Sequence, residues 1–447
     1  MKISKFGEKL TAKSGILQLM DDLGKPLPKD KISYQLGGGN PARIEKVENA
    51  YRNEMQHILS DGEKFQDVIS HYDSPQGRMS FIHAIADYFK NLYNWDIGPE
   101  NVCITNGSQS AFFYLFNLFS GIHTEDTKNT ASTNSKNIKE WKKTILFPLM
   151  PEYIGYADQG IEKDCMVSVL PRCEYYNDHT MKYFIDFEAV TTYLNNHNKK
   201  GIDGEVGAIC VSRPTNPSGN VLTDKEIKKL SVLAHEFNIP LLIDNAYGLP
   251  FPNIVFTDDA TPLWNNDIIF SMSLSKIGLP SIRTGIIIAK PELVEALSNI
   301  NAIASLASGS IGQALAEGLI KNGKLVDLAQ KEVQPYYAKK SKDMQTWIHE
   351  FFANTNYYLH KSEGAIFLWL YLPDLKISTK KFYKELKKRG VITVPGEYSF
   401  FGDEAQKAGL PYPHPHYDKC LRLNYSRPAK EVHDGVAIIA EMYKKFS

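Results

Sequence analysis

Between residues 101 and 273 five short apolar runs recur, NVCIT (101–105), TILFP (144–148), VGAICVS (206–212), LLID (241–244) and IIFSMS (268–273), each followed within a few positions by polar or glycine-rich residues. Runs of strand length that are apolar without alternation belong to strands covered on both faces. Helical patterns lie between them. Thr223 and Glu226 have the spacing of a capping box, and Ile227, Leu230, Ala234 and Phe237 then share one face before a stop at Asn238. TGIIIA (284–289) closes the series. Strand, helix, strand in repetition predicts an α/β fold: a large domain with a mostly parallel mixed sheet covered by helices. Ligands of such sheets bind beyond the carboxyl ends of the strands.

The chain has 447 residues, too many for one small core. Its last third changes character. GAIFLWLYL (364–372), a lysine-rich helix near 378–389, GVITVPG (390–396) and CLRLNYS (420–426) predict a smaller α+β unit. The expected division is an N-terminal segment (1–50) packing with the small domain and the active site, a large domain (51–315) and a small C-terminal domain (316–447). The polar stretch 123–140 is expected to be a surface loop insertion. Lys+Arg and Asp+Glu both number 51, so no net field favours nucleic acid or an anionic membrane. The five scattered cysteines have no metal-ligand spacing and fit a reducing compartment. The polar N-terminus lacks the apolar core of a signal peptide, and the longest apolar stretch is too short to span a bilayer. A cytoplasmic protein is expected.

The polar residues after the strands carry the chemistry. Asn106, Gly107, Ser108 and Gln109 open a helix, a stretch that by itself reads first as plain capping and second as a phosphate site for the backbone N–H groups. Pro151, Glu152 and Tyr153 follow the second strand, and Arg213 to Gly219 the third. Asp244 carries a carboxylate out of a buried strand, as a cap, a metal ligand or a catalytic group. Lys276, between small hydroxyl residues, is either a surface lysine or a reactive amine. A lysine desolvated near other cations loses its proton readily and condenses with aldehydes. If Ser273, Ser275 and Arg283 hold a phosphate beside it, aldehyde and phosphate belong to one molecule. Pyridoxal phosphate carries both, and its ring nitrogen needs an acid, which gives Asp244 a task.

The ordered set Asn216-Pro-Ser-Gly219, Asp244-Asn-Ala-Tyr247 and Ser273-Leu-Ser-Lys276, with Arg283 after it, resembles the fold-type-I pyridoxal-phosphate aminotransferases of class I/II over nearly the whole chain. LGGGNPA (36–42), YDSPQG (72–77), PEYIGYAD (151–158) and IDNAYGLPFP (243–252) are most similar to the branch that pairs valine with pyruvate. The resemblance implies pyridoxal 5′-phosphate as cofactor, amino acid and 2-oxo acid substrates, and a ping-pong transamination giving 3-methyl-2-oxobutanoate and alanine. It implies that Lys276 holds the cofactor as a Schiff base and then moves the substrate proton, that Asp244 pairs with the ring nitrogen, and that Tyr247 and Asn216 bond the ring's phenolic oxygen. Tyr153 resembles the stacking aromatic, standing where some relatives carry tryptophan. Gly107, Ser108, Gln109, Ser273, Ser275 and Arg283 resemble the phosphate cup, with Arg283 one position closer to the lysine than in many class I enzymes. Tyr72 resembles the tyrosine that reaches the phosphate of a neighbouring subunit, which implies a homodimer with shared sites. Arg422 resembles the arginine that grips the substrate carboxylate, and Gly39 the glycine that closes over the substrate.

Other readings of these residues stay in view. An aminotransferase of different specificity, or a carbon–sulfur β-lyase, shares every motif named. A cofactor-binding transcriptional regulator needs a DNA-binding module, for which the stretch before LGGGNP is short. His414, His416 and Cys420 suggest a metal site but show no fourth ligand, so none is expected.

Overall fold

A computed structural model describes residues 2–12, 14–24, 33–127, 137–403 and 412–447. Its larger sheet runs in the order Val102–Thr105, Gly285–Ile288, Ile268–Ser273, Leu241–Asp244, Glu205–Ser212, Asn137–Phe147 and Gly121–Thr127. Met166–Ser168 pairs beside the end of Asn137–Phe147. The central pairings are parallel, while Gly285–Ile288 runs antiparallel to both neighbours. Every residue of Glu205–Ser212 and of Ile268–Ser273 is buried, the reason these strands read as unbroken apolar runs. The capping box at Thr223 and Glu226 opens the helix Asp224–Glu236 and buries Ile227, Leu230 and Ala234. In register, Asp244 stands between Ser212 on one side and Ser271 on the other. That row is the carboxyl edge of the sheet.

Two expectations are corrected. The stretch 123–140 is not a plain loop. Gly121–Thr127 and Asn137–Phe147 form an antiparallel hairpin, paired from Gly121↔Lys143 to Thr127↔Asn137. An edge hairpin facing water needs no apolar alternation and is protected by charge, as by the Lys200–Glu125 pair, so its composition read as loop. Residues 128–136 lie outside the described residues. The second correction concerns 51–315 as one large domain. Arg172–Tyr175 and Thr180–Phe184, inside that stretch, hydrogen-bond to the smaller sheet, whose order is Val394–Pro395, Cys420–Asn424, Phe367–Tyr371, Tyr358–His360, Thr180–Phe184, Arg172–Tyr175. Thr180–Phe184 pairs parallel to Tyr358–His360, and the buried Lys182–Glu363 ion pair fixes it there.

GVITVPG makes two short strands. Val394–Pro395 joins the smaller sheet, and Val391–Ile392 pairs with Tyr34–Gln35. The latter pairing, with Asn424 donating to the Leu36 carbonyl, delivers the glycines at 37–39 to the sheet edge.

Candidate active site

Twelve of the fourteen sequence-predicted site residues line one cavity of about 180 Å³ at the carboxyl edge of the larger sheet: Gly39, Ser108, Gln109, Tyr153, Asn216, Asp244, Tyr247, Ser273, Ser275, Lys276, Arg283 and Arg422. Gly107 lies directly behind, and Tyr72 is elsewhere, 85% exposed on the surface.

Lys276 sits in the short helical turn Leu274–Ile277 that follows the strand Ile268–Ser273. Its Nζ donates to the Gly39 carbonyl at 2.7 Å and lies 5.4 Å from the centre of the Tyr247 ring. Burial, then the Arg422 and Arg283 charges, bring its pKa down to about 8, against the pull of Asp244. About a tenth of the amine is therefore neutral at pH 7, far more than for a solvated lysine. Asp244 leaves its strand into the same cavity. Its Oδ2 accepts from the Tyr156 hydroxyl at 2.5 Å and its Oδ1 from the Ala246 N–H at 3.0 Å. Burial raises its pKa, opposed by those two bonds and by Lys276.

At the other wall, Arg422 is buried on the strand Cys420–Asn424. Its Nη1 donates to Asn216 Oδ1 at 2.8 Å and its Nη2 to the Gly37 carbonyl at 2.7 Å, and its guanidinium lies 4.1 Å over the Phe367 ring. Its buried Nε has no partner among the described residues. Burial lowers its pKa to about 10, so it stays a cation with an unused donor.

The third cluster surrounds the start of the helix Ser108–Phe119. No side chain caps that helix and its first turn holds no acid, and while Ser110 N–H donates to the Gly107 carbonyl at 3.1 Å, the Ser108 and Gln109 N–H groups have no partner among the described residues. Arg283 Nη1 donates to Ser275 Oγ at 3.3 Å, and Ser275 N donates to Ser273 Oγ at 3.1 Å. Arg283 has no carboxylate partner among the described residues. Gly107 holds φ of +82°, and a Cβ there would meet Arg283 Nη2 at 2.2 Å, so only glycine lets the guanidinium lie against the helix start. Uncapped N–H groups, hydroxyls and an unneutralised arginine in one concavity are the donor set of an anion site.

Residues 161–439 match the family described as aminotransferase class I and II. Over 99% of the chain and 98% of the relative, it is 44% identical to the valine–pyruvate aminotransferase of Escherichia coli K12. The chain belongs to the class I and II aminotransferases. A crystal structure of an amino-acid aminotransferase described as putative, from Psychrobacter arcticum 273-4, superposes with a TM-score of 0.90 at 40% identity, covering 100% of this chain and 99% of that one. One of valine–pyruvate aminotransferase from Salmonella typhimurium LT2 gives 0.80 at 42%, covering 96% and 98%.

The cofactor of this aminotransferase is pyridoxal 5′-phosphate. The donor set fits it: the anion site for a phosphate, a partly neutral amine for an aldehyde, and a buried carboxylate for a ring nitrogen all open into one cavity. Sequence reasoning missed part of this aminotransferase's site. Tyr156, three residues after Tyr153 in a quoted motif, holds Asp244, and nothing local announces that contact. Ile16, Leu19 and Met20 line the cavity from the helix Gly15–Gly24. Their i, i+3, i+4 spacing was a legible apolar stripe. No helix among the described residues is long and apolar enough to cross a membrane.

Proposed function

We propose that the protein exchanges the amino group of valine with pyruvate, giving 3-methyl-2-oxobutanoate and alanine. The 44% identical Escherichia coli relative carries that name. The observation that bears the reading is the composition of one cavity. Lys276 and Arg422 both line it, Arg422 keeps an Nε without a partner among the described residues, and Ile16, Leu19 and Met20 supply an apolar wall with no charge for a second carboxylate. An α-amino acid with a short apolar side chain matches that set.

When bound, pyridoxal phosphate supplies an electron sink for the bond to the substrate α-proton. Lys276 Nζ, in its neutral form, takes that proton and returns it on the other side of the transfer. Asp244 holds the ring nitrogen's proton through its buried carboxylate. Asn216 and Tyr247 would bond the phenolic oxygen, and Tyr153 would pack on the ring. Ser108, Gln109, Ser273, Ser275 and Arg283, with the backbone at Gly107, hold the phosphate. Arg422 binds the substrate carboxylate in a charge-assisted pair, and the backbone at Gly39 closes over it. Tyr72, exposed here, reaches the phosphate of a second copy in a homodimer with shared sites. The chain divides into an N-terminal segment (1–50), a large domain (51–315) and a small C-terminal domain (316–447), to whose sheet the strands Arg172–Tyr175 and Thr180–Phe184 also belong.

The test is spectroscopic. Valine should bleach the visible band of the purified protein, and pyruvate should restore it where oxaloacetate does not. Bleaching by aspartate with restoration by oxaloacetate would refute the substrate pair. Release of ammonia with pyruvate from a cysteine conjugate would instead identify a β-lyase.

A further inference from the structure

Asp244 is held by a residue that has no assigned part. The Tyr156 hydroxyl donates to its Oδ2 at 2.5 Å while the Ala246 N–H occupies Oδ1, so both carboxylate oxygens are fixed. The Tyr156 ring cannot swing away. It is 1% exposed and packs at centroid distances of 5.1 Å on Phe112, 5.3 Å on Phe116, 5.8 Å on Phe147 and 5.2 Å on Tyr153. The other titratable groups facing this pair are Glu152, Cys210, Lys276, Tyr153 and Tyr247. Glu152 does not compete for the hydroxyl, because its oxygens accept from Ser212 N at 2.9 Å, Ser212 Oγ at 2.6 Å and Tyr153 N at 3.2 Å.

We propose that Tyr156 is the positioning residue of Asp244: it fixes the carboxylate and sets how much negative charge that carboxylate presents to the cofactor's ring nitrogen. The inference rests on the cofactor assignment. Burial and the neighbouring carboxylate push the phenol pKa well above its ordinary value, so Tyr156 is always the donor. A hydrogen bond to an ion in a water-poor site is about twice as strong as a neutral one, and each increment of donation removes charge from the acceptor.

The test uses the full chain with Tyr156→Phe, and with 3,5-difluorotyrosine placed at 156. The second is nearly isosteric and donates more strongly, so it covers the case in which the Phe variant folds poorly. Each is stripped of cofactor and retitrated with pyridoxal phosphate, and the pH midpoint of the visible band is then read. Tyr156→Phe should weaken cofactor binding on the order of tenfold. The two replacements should move the band midpoint in opposite directions, which a purely structural role would not do. Equal binding within twofold, or midpoints that stay put or move the same way, would overturn the role of Tyr156 alone. A native protein that takes up no pyridoxal phosphate would overturn the cofactor assignment and this inference together.

Discussion

Two clusters of strongly perturbed titratable groups sit in different parts of the molecule. In the cavity, burial shifts Lys276, Asp244 and Arg422, yet these groups keep unspent capacity: an amine on one carbonyl, a guanidinium with a free Nε. Beside the smaller sheet, burial pushes His416 down to about 2 and His360 to about 3. There the groups are spent. Trp369 Nε1 donates to the Tyr183 hydroxyl at 3.0 Å, and that hydroxyl pairs with His416 Nδ1 at 2.6 Å. His416 Nε2 pairs with the Tyr175 hydroxyl, also at 2.6 Å. Both ring nitrogens serve phenols. A shifted pKa marks burial, and only unspent capacity facing a cavity marks a site.

The sharpest way to break that contrast is substitution on each side. Lys276→Ala should lower turnover on the order of 10⁴-fold with the melting temperature nearly unchanged, because it removes a proton carrier and no packing partner. Steady-state kinetics and calorimetry check both halves, and residual turnover near native levels would remove Lys276 from the chemistry. Arg422→Lys should raise KM for the amino acid on the order of 10²-fold with a smaller change in kcat, since a point charge cannot reproduce a planar two-pronged grip. An unchanged KM would move the carboxylate elsewhere. His416→Phe should do the reverse. It strands the Tyr175 and Tyr183 hydroxyls and should cost about 2–4 kcal/mol of stability in urea unfolding while leaving KM within about twofold. A large kinetic effect with normal stability would make the histidine cluster functional.

Sequence resolved the two regions unequally, for physical reasons. The strands of the larger sheet were legible because burial on both faces leaves a run of apolar residues at known length, and Lys276, Asp244 and Asn216 because they follow those strands directly. Contacts between distant segments were not. The Tyr156–Asp244 bond joins residues 88 apart, and the hairpin at 172–184 joins strands nearly two hundred positions downstream through a parallel pairing that no local pattern encodes. The outer part of the edge hairpin, within 123–140, was read as a loop because a solvated edge is selected for charge, which looks like a loop in one dimension. The His414–His416 pair looked like a metal motif for a related reason. Spacing shows which side chains are near, but not that phenols 233 and 241 residues away in sequence have taken both nitrogens of His416.

The smallest expected effect tests the two regions against each other through pH. In the unfolded chain histidine gains its proton near pH 6.5, whereas folded His416 and His360 resist it until about 2 and 3. Between those limits the unfolded state binds more protons, so stability falls as pH falls, by about 1 kcal/mol per histidine per pH unit. Glu152 beneath the cavity works the other way. Burial raises its pKa to about 8, so from there down to about 4.5 the folded state binds the extra proton and acid stabilises it. Two histidines against one carboxyl leave a net loss of about 1 kcal/mol from pH 6 to pH 5, with partly exposed His414, held near 4, adding to it. Glu152→Gln removes the opposing group and should make the decline steeper by a further ~1 kcal/mol per unit in urea titrations, whereas His416→Phe should flatten it. If Glu152→Gln left the slope untouched, the carboxyl would be ionised in the folded protein, with the three donors on its oxygens outweighing its burial, and the cavity floor would carry two negative charges where one is inferred.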